Sequence, residues 1–178
     1  NAVIDERSFK KISGYLTPAA SAGADAKILT GGKASMEIGY FVEPTILETR
    51  NGAYRTLSEE IFGPVLTVYV YDDSKLDETI TLCDQTSPYA LTGAILSQDR
   101  GALLAIANRL RHAAGNLYFN DKPTGAVVGQ QPFGGGRASG TNDKAGSALN
   151  LYRWISPRTI KETMVPVKDY RYPFLGAE

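Results

Sequence analysis

The residues that could carry chemistry fall into two short stretches. Thr124 to Gly140 reads Thr-Gly-Ala-Val-Val-Gly-Gln-Gln-Pro-Phe-Gly-Gly-Gly-Arg-Ala-Ser-Gly. Its glycines and its proline rule out a helix or an ordinary strand. Glycine lets a backbone approach a small molecule closely and offer amide N–H groups where a side chain would block the way. That suits an anionic group. A tight turn plugged by Phe133 explains the same composition, and composition alone does not separate the two. Upstream, Glu59 and Glu60 precede Ile61-Phe62-Gly63-Pro64. A carboxylate accepts two hydrogen bonds from a ribose diol, and a ring beside it can pack on a sugar or a flat heterocycle. Taken bare, paired glutamates before a strand are usually solvated and a phenylalanine there is usually core.

Known nucleotide loops do not fit. A phosphate-binding loop needs G-x-x-x-x-G-K-[ST], whereas Lys144 follows Asp143. The dinucleotide fingerprint G-x-G-x-x-G fails because Gly134, Gly135 and Gly136 are contiguous and Ser139 stands where the third glycine should be. A lone cysteine, Cys83, excludes an internal disulfide and a cysteine-rich zinc site, and a lone histidine, His112, excludes a two-histidine metal site. Leu82-Cys83-Asp84 lies in an amphipathic segment with no cation to lower the thiol pKa, so Cys83 is read as a small core residue. His112 falls at a helix C-terminus, where a cation is favoured. Lys122, Arg137 and Lys144 flank the glycine-rich stretch, either tuning an anion site or forming loop ion pairs.

Gln131-Pro132-Phe133-Gly134-Gly135 with Ser139-Gly140, and Ser58-Glu59-Glu60-Ile61-Phe62-Gly63-Pro64-Val65 upstream, resemble the aldehyde dehydrogenase superfamily. Gly125-Ala126-Val127-Val128-Gly129 and Ser139 to Lys144 are similar to its branch acting on 1-pyrroline-5-carboxylate. The resemblance runs nearly end to end, over what looks like the last third of such an enzyme. It implies oxidation of L-glutamate γ-semialdehyde to L-glutamate with NAD, in proline breakdown. The implied chemistry is thiolate attack, hydride transfer and thioester hydrolysis. By the same resemblance Glu60 and Phe62 bind the cofactor, the first at the nicotinamide ribose. Gly125 and Ala126 bind the substrate carboxylate through backbone N–H groups, and Phe133 packs on its aliphatic part. Some relatives carry serine at the position of Ala126; the alanine keeps the amide, and a charge-assisted bond contributes about 1.5–3 kcal/mol. The nucleophile, the oxyanion-stabilising asparagine and the general base are implied to lie upstream, so no catalytic residue is assigned in this segment. The rival readings are another NAD(P)-dependent aldehyde dehydrogenase or a non-catalytic oligomerisation module.

The elements that must position these residues follow from periodicity. Ile4 to Ala22 suits an amphipathic helix, with apolar residues at Ile4, Phe9, Ile12 and Leu16 and polar residues between. Lys27–Leu29, Tyr40–Val42 and Pro44–Leu47 read as extended, and Asn51-Gly52 as a turn between extended runs. Pro64 to Tyr71 is β-branched and aromatic on both faces, the pattern of a strand covered from both sides. Asp72, Asp73 and Ser74 offer caps for a helix from about Leu76 to Asp84. A strand follows over Leu91–Leu96, then a helix capped by Asp99, then a strand at Asn116–Phe119. This strand–helix–strand–helix–strand run predicts an α/β fold with a doubly wound, mostly parallel sheet. The glycine-rich stretch then leaves the carboxyl end of a strand, where ligands gather in such sheets. Residues 1–151 are assigned to the catalytic domain. Residues 152–178 are assigned to a strand and tail for oligomerisation, with a homodimer as the building unit. Tyr170, Tyr172 and Phe174 are expected to dock on a surface.

The 178 residues carry 19 basic and 19 acidic side chains. That balance argues against a nucleic-acid or anionic-membrane partner and leaves a small-molecule substrate. No apolar run approaches the length of a membrane span. The start, Asn1-Ala2-Val3-Ile4-Asp5, has neither a basic region nor an apolar stretch and is read as a cut into a longer chain. A soluble intracellular location is expected, cytoplasmic or mitochondrial according to source.

Overall fold

The computed structural model describes residues 2–23 and 25–176. Helix α1 (Glu6–Ala20) is capped by Asp5, whose carboxylate accepts from the Ser8 N–H at 2.7 Å. Strands β1 (Lys27–Thr30), β2 (Ala34–Ser35), β3 (Phe41–Val42) and β4 (Thr45–Thr49) follow, then the single turn α2 (Arg55–Ser58) and strand β5 (Val65–Tyr69). Helix α3 (Leu76–Gln85), strands β6 (Tyr89–Ala90) and β7 (Thr92–Ile95), helix α4 (Arg100–Arg109) and strand β8 (Asn116–Phe119) complete the alternating run. Beyond it lie β9 (Gly136–Arg137) and the short helix α5 (Ala148–Leu151).

The helix and strand boundaries agree closely with the periodicity, because local caps mark them. Asp99 accepts from the Gly101 and Ala102 N–H groups and starts α4. Asp72, rather than Ser74, is the cap before α3, accepting from the Ser74 N–H at 2.9 Å ahead of a 3₁₀ turn. Asn51 turns the chain by accepting from the Ala53 N–H, but the turn feeds α2 and not a second strand.

The fold is α/β, and the sheet is less continuous than the alternation predicts. Strand β4 pairs antiparallel with β1 and parallel with β5. Strands β7 and β8 pair parallel with each other, and β5 and β7 belong to different sheets. Thus both crossovers are present but the described residues do not join them into one sheet. Nor is β5 covered on both faces. Val65, Thr67 and Tyr69 are half-buried, whereas Leu66 is 60% exposed on the opposite face. The apolar residues on that side have no element of the described chain above them.

The core sits under α1. Phe9, Ile12, Tyr15, Leu16, Val42 and Ile61 pack together, with Val3, Tyr40 and Val65 at its margin. Residues 155–172 have no strand pairing, and Ile160 and Met164 lie in solvent. The tail aromatics do not dock: Tyr170, Tyr172 and Phe174 are exposed, and the last two rings stack on each other at 5.8 Å. No helix among the described residues is long and apolar enough to cross a membrane.

Candidate functional site

Glu60 and Phe62 lie on the turn between α2 and β5, and α1 builds that turn from below. Ile61 is buried in the α1 core. A Cβ at Gly63 would lie 2.5 Å from the Ile12 Cδ1, so the chain passes against α1 at that point only as glycine. The Lys11 ammonium donates to the Glu60 carbonyl at 2.5 Å. Tyr15 donates its hydroxyl to Glu59 Oε2 at 2.7 Å, and Arg55 pairs with the same oxygen at 3.0 Å while its guanidinium covers the Tyr15 ring. The bonds from Arg55 and Tyr15 hold the Glu59 carboxyl below its ordinary range, and the bond to Glu59 raises the Tyr15 phenol.

The two glutamates are therefore unlike. Glu59 is spent on structure, whereas the Glu60 carboxylate is exposed and has no hydrogen-bond partner among the described residues. Phe62 is 86% exposed with φ +60°. A left-handed backbone at a bulky residue costs on the order of 1–3 kcal/mol, and exposing the ring forgoes its burial. The ring is thus kept out of the core of the described residues on a strained turn.

The glycine-rich stretch leaves β8 and is held by polar bonds. Asn120 ties the ends of β7 and β8, accepting from the Ser97 N–H at 2.8 Å and donating to the Ser97 carbonyl at 3.0 Å. Asn116 donates to the Pro132 carbonyl at 3.1 Å and accepts from the Gly134 N–H at 3.2 Å. The Lys144 ammonium binds the Gly115 carbonyl and, at 3.2 Å, the Gly134 carbonyl. Phe133 exchanges both backbone bonds with Ala145, at 2.9 and 2.8 Å. Ser139 Oγ accepts from the Ala90 N–H at 3.0 Å.

Within this frame some of the loop amides are bonded and others are open. Val127, Gln130, Gln131, Phe133 and Gly134 all donate their N–H groups to protein oxygens. The Gly125, Ala126, Val128 and Gly129 N–H groups have no acceptor among the described residues. Gly125 takes φ +90°, and a Cβ there would lie 3.2 Å from the Lys122 Nζ, so a cation stands beside Gly125. Of the three flanking cations, Lys144 clamps carbonyls and Arg137 pairs with Asp84 at 2.6 Å. Only Lys122 lacks a side-chain partner among the described residues.

The expected residues thus gather in two groups, Glu60 with Phe62 and Gly125 with Ala126 on the loop that also carries Phe133. Two bonds in series join their supports: Ser87 Oγ to the Ser58 carbonyl at 3.3 Å, and the Ala90 N–H to Ser139 Oγ. Sequence reasoning missed Asn116 as an anchor, although an asparagine opening an otherwise apolar strand is a signal that it serves something nearby. Cys83 is corrected. It is exposed on a groove of about 330 Å³ lined by Leu57, Tyr69, Leu82 and Thr86, because the second cover over this side is lacking. Loss of water around the thiol, and then the Asp84 charge, raise its pKa, the opposite of what a nucleophile needs. His112 lies beyond the end of α4, beside Arg111.

The aldehyde dehydrogenase family model matches residues 1–160. The chain belongs to this family. It is similar to the mitochondrial delta-1-pyrroline-5-carboxylate dehydrogenase of Dictyostelium discoideum, 59% identical over 98% of this chain and 31% of that protein. The human protein of the same name is 51% identical over the same shares. Among solved structures, the Mycobacterium tuberculosis delta-pyrroline-5-carboxylate dehydrogenase bound with NAD matches with a TM-score of 0.78 and 49% identity, over 99% of this chain and 31% of that one. The chain therefore spans about a third of the length of the relatives it matches. For an aldehyde dehydrogenase, the uncovered face of β5 and the absence of any activated thiol among the described residues are consistent with that share.

Proposed function

We propose that this chain acts as part of an NAD-dependent enzyme that oxidises L-glutamate γ-semialdehyde, in equilibrium with 1-pyrroline-5-carboxylate, to L-glutamate in proline catabolism. One observation carries the substrate choice. The open Gly125 and Ala126 amides, with the Lys122 ammonium beside Gly125, are donors suited to a carboxylate, and ordinary aldehydes lack that group. Relatives at 51–59% identity bear the name of this activity.

Each residue then has a defined task. The Gly125 and Ala126 N–H groups hold the α-carboxylate, and Phe133 packs on the aliphatic chain between carboxylate and aldehyde. Glu60 accepts from the ribose hydroxyls and Phe62 lies along the cofactor, which fits the free carboxylate and outward ring. NAD, when bound, supplies the hydride acceptor. Fixing both partners on supports joined through Ser87 and Ser139 shortens the search for a reactive geometry. The nucleophile comes from outside these residues. The same reading extends residues 1–151 as part of a doubly wound catalytic domain, completed by further strands beside β5 and β7. It makes residues 152–178 a strand and tail that pair with a second copy, which suits their exposed Ile160 and Met164.

Steady-state NADH production by the full-length enzyme, with semialdehyde against propanal and hexanal, tests this directly. A strong preference for the semialdehyde is expected; equal kcat/KM values overturn the carboxylate site. The 178 residues alone are expected to produce no NADH, and activity there would return Cys83 to consideration.

A further inference from the structure

Helix α1 touches neither group of candidate ligand residues with a side chain aimed at a ligand, yet it bears on the Glu60 turn at every level. Ile12 underlies Gly63, Ile61 is sunk beside Phe9 and Leu16, Tyr15 holds Glu59, and Lys11 holds the backbone of Glu60 itself. The last contact is distinctive. A carbonyl gripped by an ammonium is held against rotation, so the Glu60–Ile61 peptide plane is set and with it the direction from which the Glu60 carboxylate leaves the backbone. The hydrogen bond spans 49 positions of sequence and lies in an exposed part of the surface, at the edge of the packed Ile61 and Gly63 backbone.

We propose that Lys11 is a positioning residue for cofactor binding. Its ammonium, by holding the Glu60 carbonyl, aims the Glu60 carboxylate at the cofactor ribose, with Tyr15 fixing the preceding residue. This rests on the reading that Glu60 contacts NAD.

The test uses the full-length enzyme and NAD titration in the absence of aldehyde. Lys11→Met is expected to weaken NAD binding roughly threefold to tenfold, the range for the net loss of one ordinary hydrogen bond, since Lys11 acts on the cofactor only at second hand. The KM for semialdehyde stays unchanged, and Lys11→Arg restores NAD binding. Lys10→Met removes an ion pair with Glu6 on the same helix and serves as the control, leaving NAD affinity at the wild-type value. Since Lys11 acts through Glu60, Lys11→Met combined with Glu60→Gln binds NAD no more weakly than Glu60→Gln alone. Three results overturn the proposal. The first is wild-type NAD affinity in Lys11→Met while Glu60→Gln is weakened, and the second is full additivity of the two changes. The third is an equal loss in Lys10→Met, which would mark a general effect on α1. Wild-type affinity in Glu60→Gln overturns instead the assignment of Glu60 itself.

Discussion

The two turns that carry the candidate ligand groups are held rigid by opposite means. The Glu60 turn sits on a hydrophobic platform, with Ile61 and Ile12 buried beneath it and two polar ties at its edge. The loop from Lys122 to Gly140 has little apolar support and is fastened through Asn116, Lys144, Ser139 and the Phe133–Ala145 bridge. The difference suits what each offers. A side chain is aimed by fixing the backbone under it, and packing does that well. Backbone amides are aimed by fixing the course of the chain that carries them, and a loop with little to pack against is fixed through its carbonyls, as Asn116 and Lys144 do here.

Changes that attack each support in its own terms would break or sharpen this contrast. The largest effect is expected from Ile12→Ala. This fully buried side chain joins α1 to the Glu60 turn, and its loss should cost about 2–5 kcal/mol in urea unfolding. Amide exchange should rise at Ile61 and Gly63 more than at Gly134. A uniform rise in both regions would show that the two supports are not separate.

Gly115→Ala should come next. Its Cβ would stand 1.9 Å from the Gly134 carbonyl oxygen, and a backbone atom has little room to retreat. A cost of about 1–3 kcal/mol is expected, with exchange increased in the loop and not beneath α1. Wild-type stability would mean that the polar frame yields readily.

The smallest effect concerns Glu59 and pH. Its carboxyl titrates below the ordinary 4.5 because Arg55 and Tyr15 bind the ionised form. The unfolded chain therefore takes up this proton first as pH falls. The stability it confers is present above about pH 4.5 and is lost as pH drops through the depressed folded value. Glu59→Gln should flatten that acid limb of the stability curve; an unchanged limb would show that the exposed cluster contributes nothing there.

Much was legible before any coordinates. Asp99 is a cap that announces α4, and Asn116–Phe119 is a run that reads as a strand. Glu60, Phe62, Gly125, Ala126 and Phe133 were recognisable as candidates from two motifs. What failed to read through were properties that depend on what lies opposite. The alternating apolar faces of β5 predicted cover on both sides, but pattern records what a strand can bury, not what is present to bury it. Cys83 was misread for the same reason, since the groove beside it is open.

By itself the sequence determined where helices start, which segments extend, and that positions 124–140 must be glycine-shaped, because caps, side-chain period and φ freedom are local. It also carried the motifs that mark the family. Only the tertiary structure decided that Glu59 is tied while Glu60 is free. It alone decided that Lys144 clamps and Lys122 does not, and that residue 11 reaches residue 60. Those are pairings between distant residues of like type, and the geometry that separates one glutamate or lysine from the next exists only once the chain has folded.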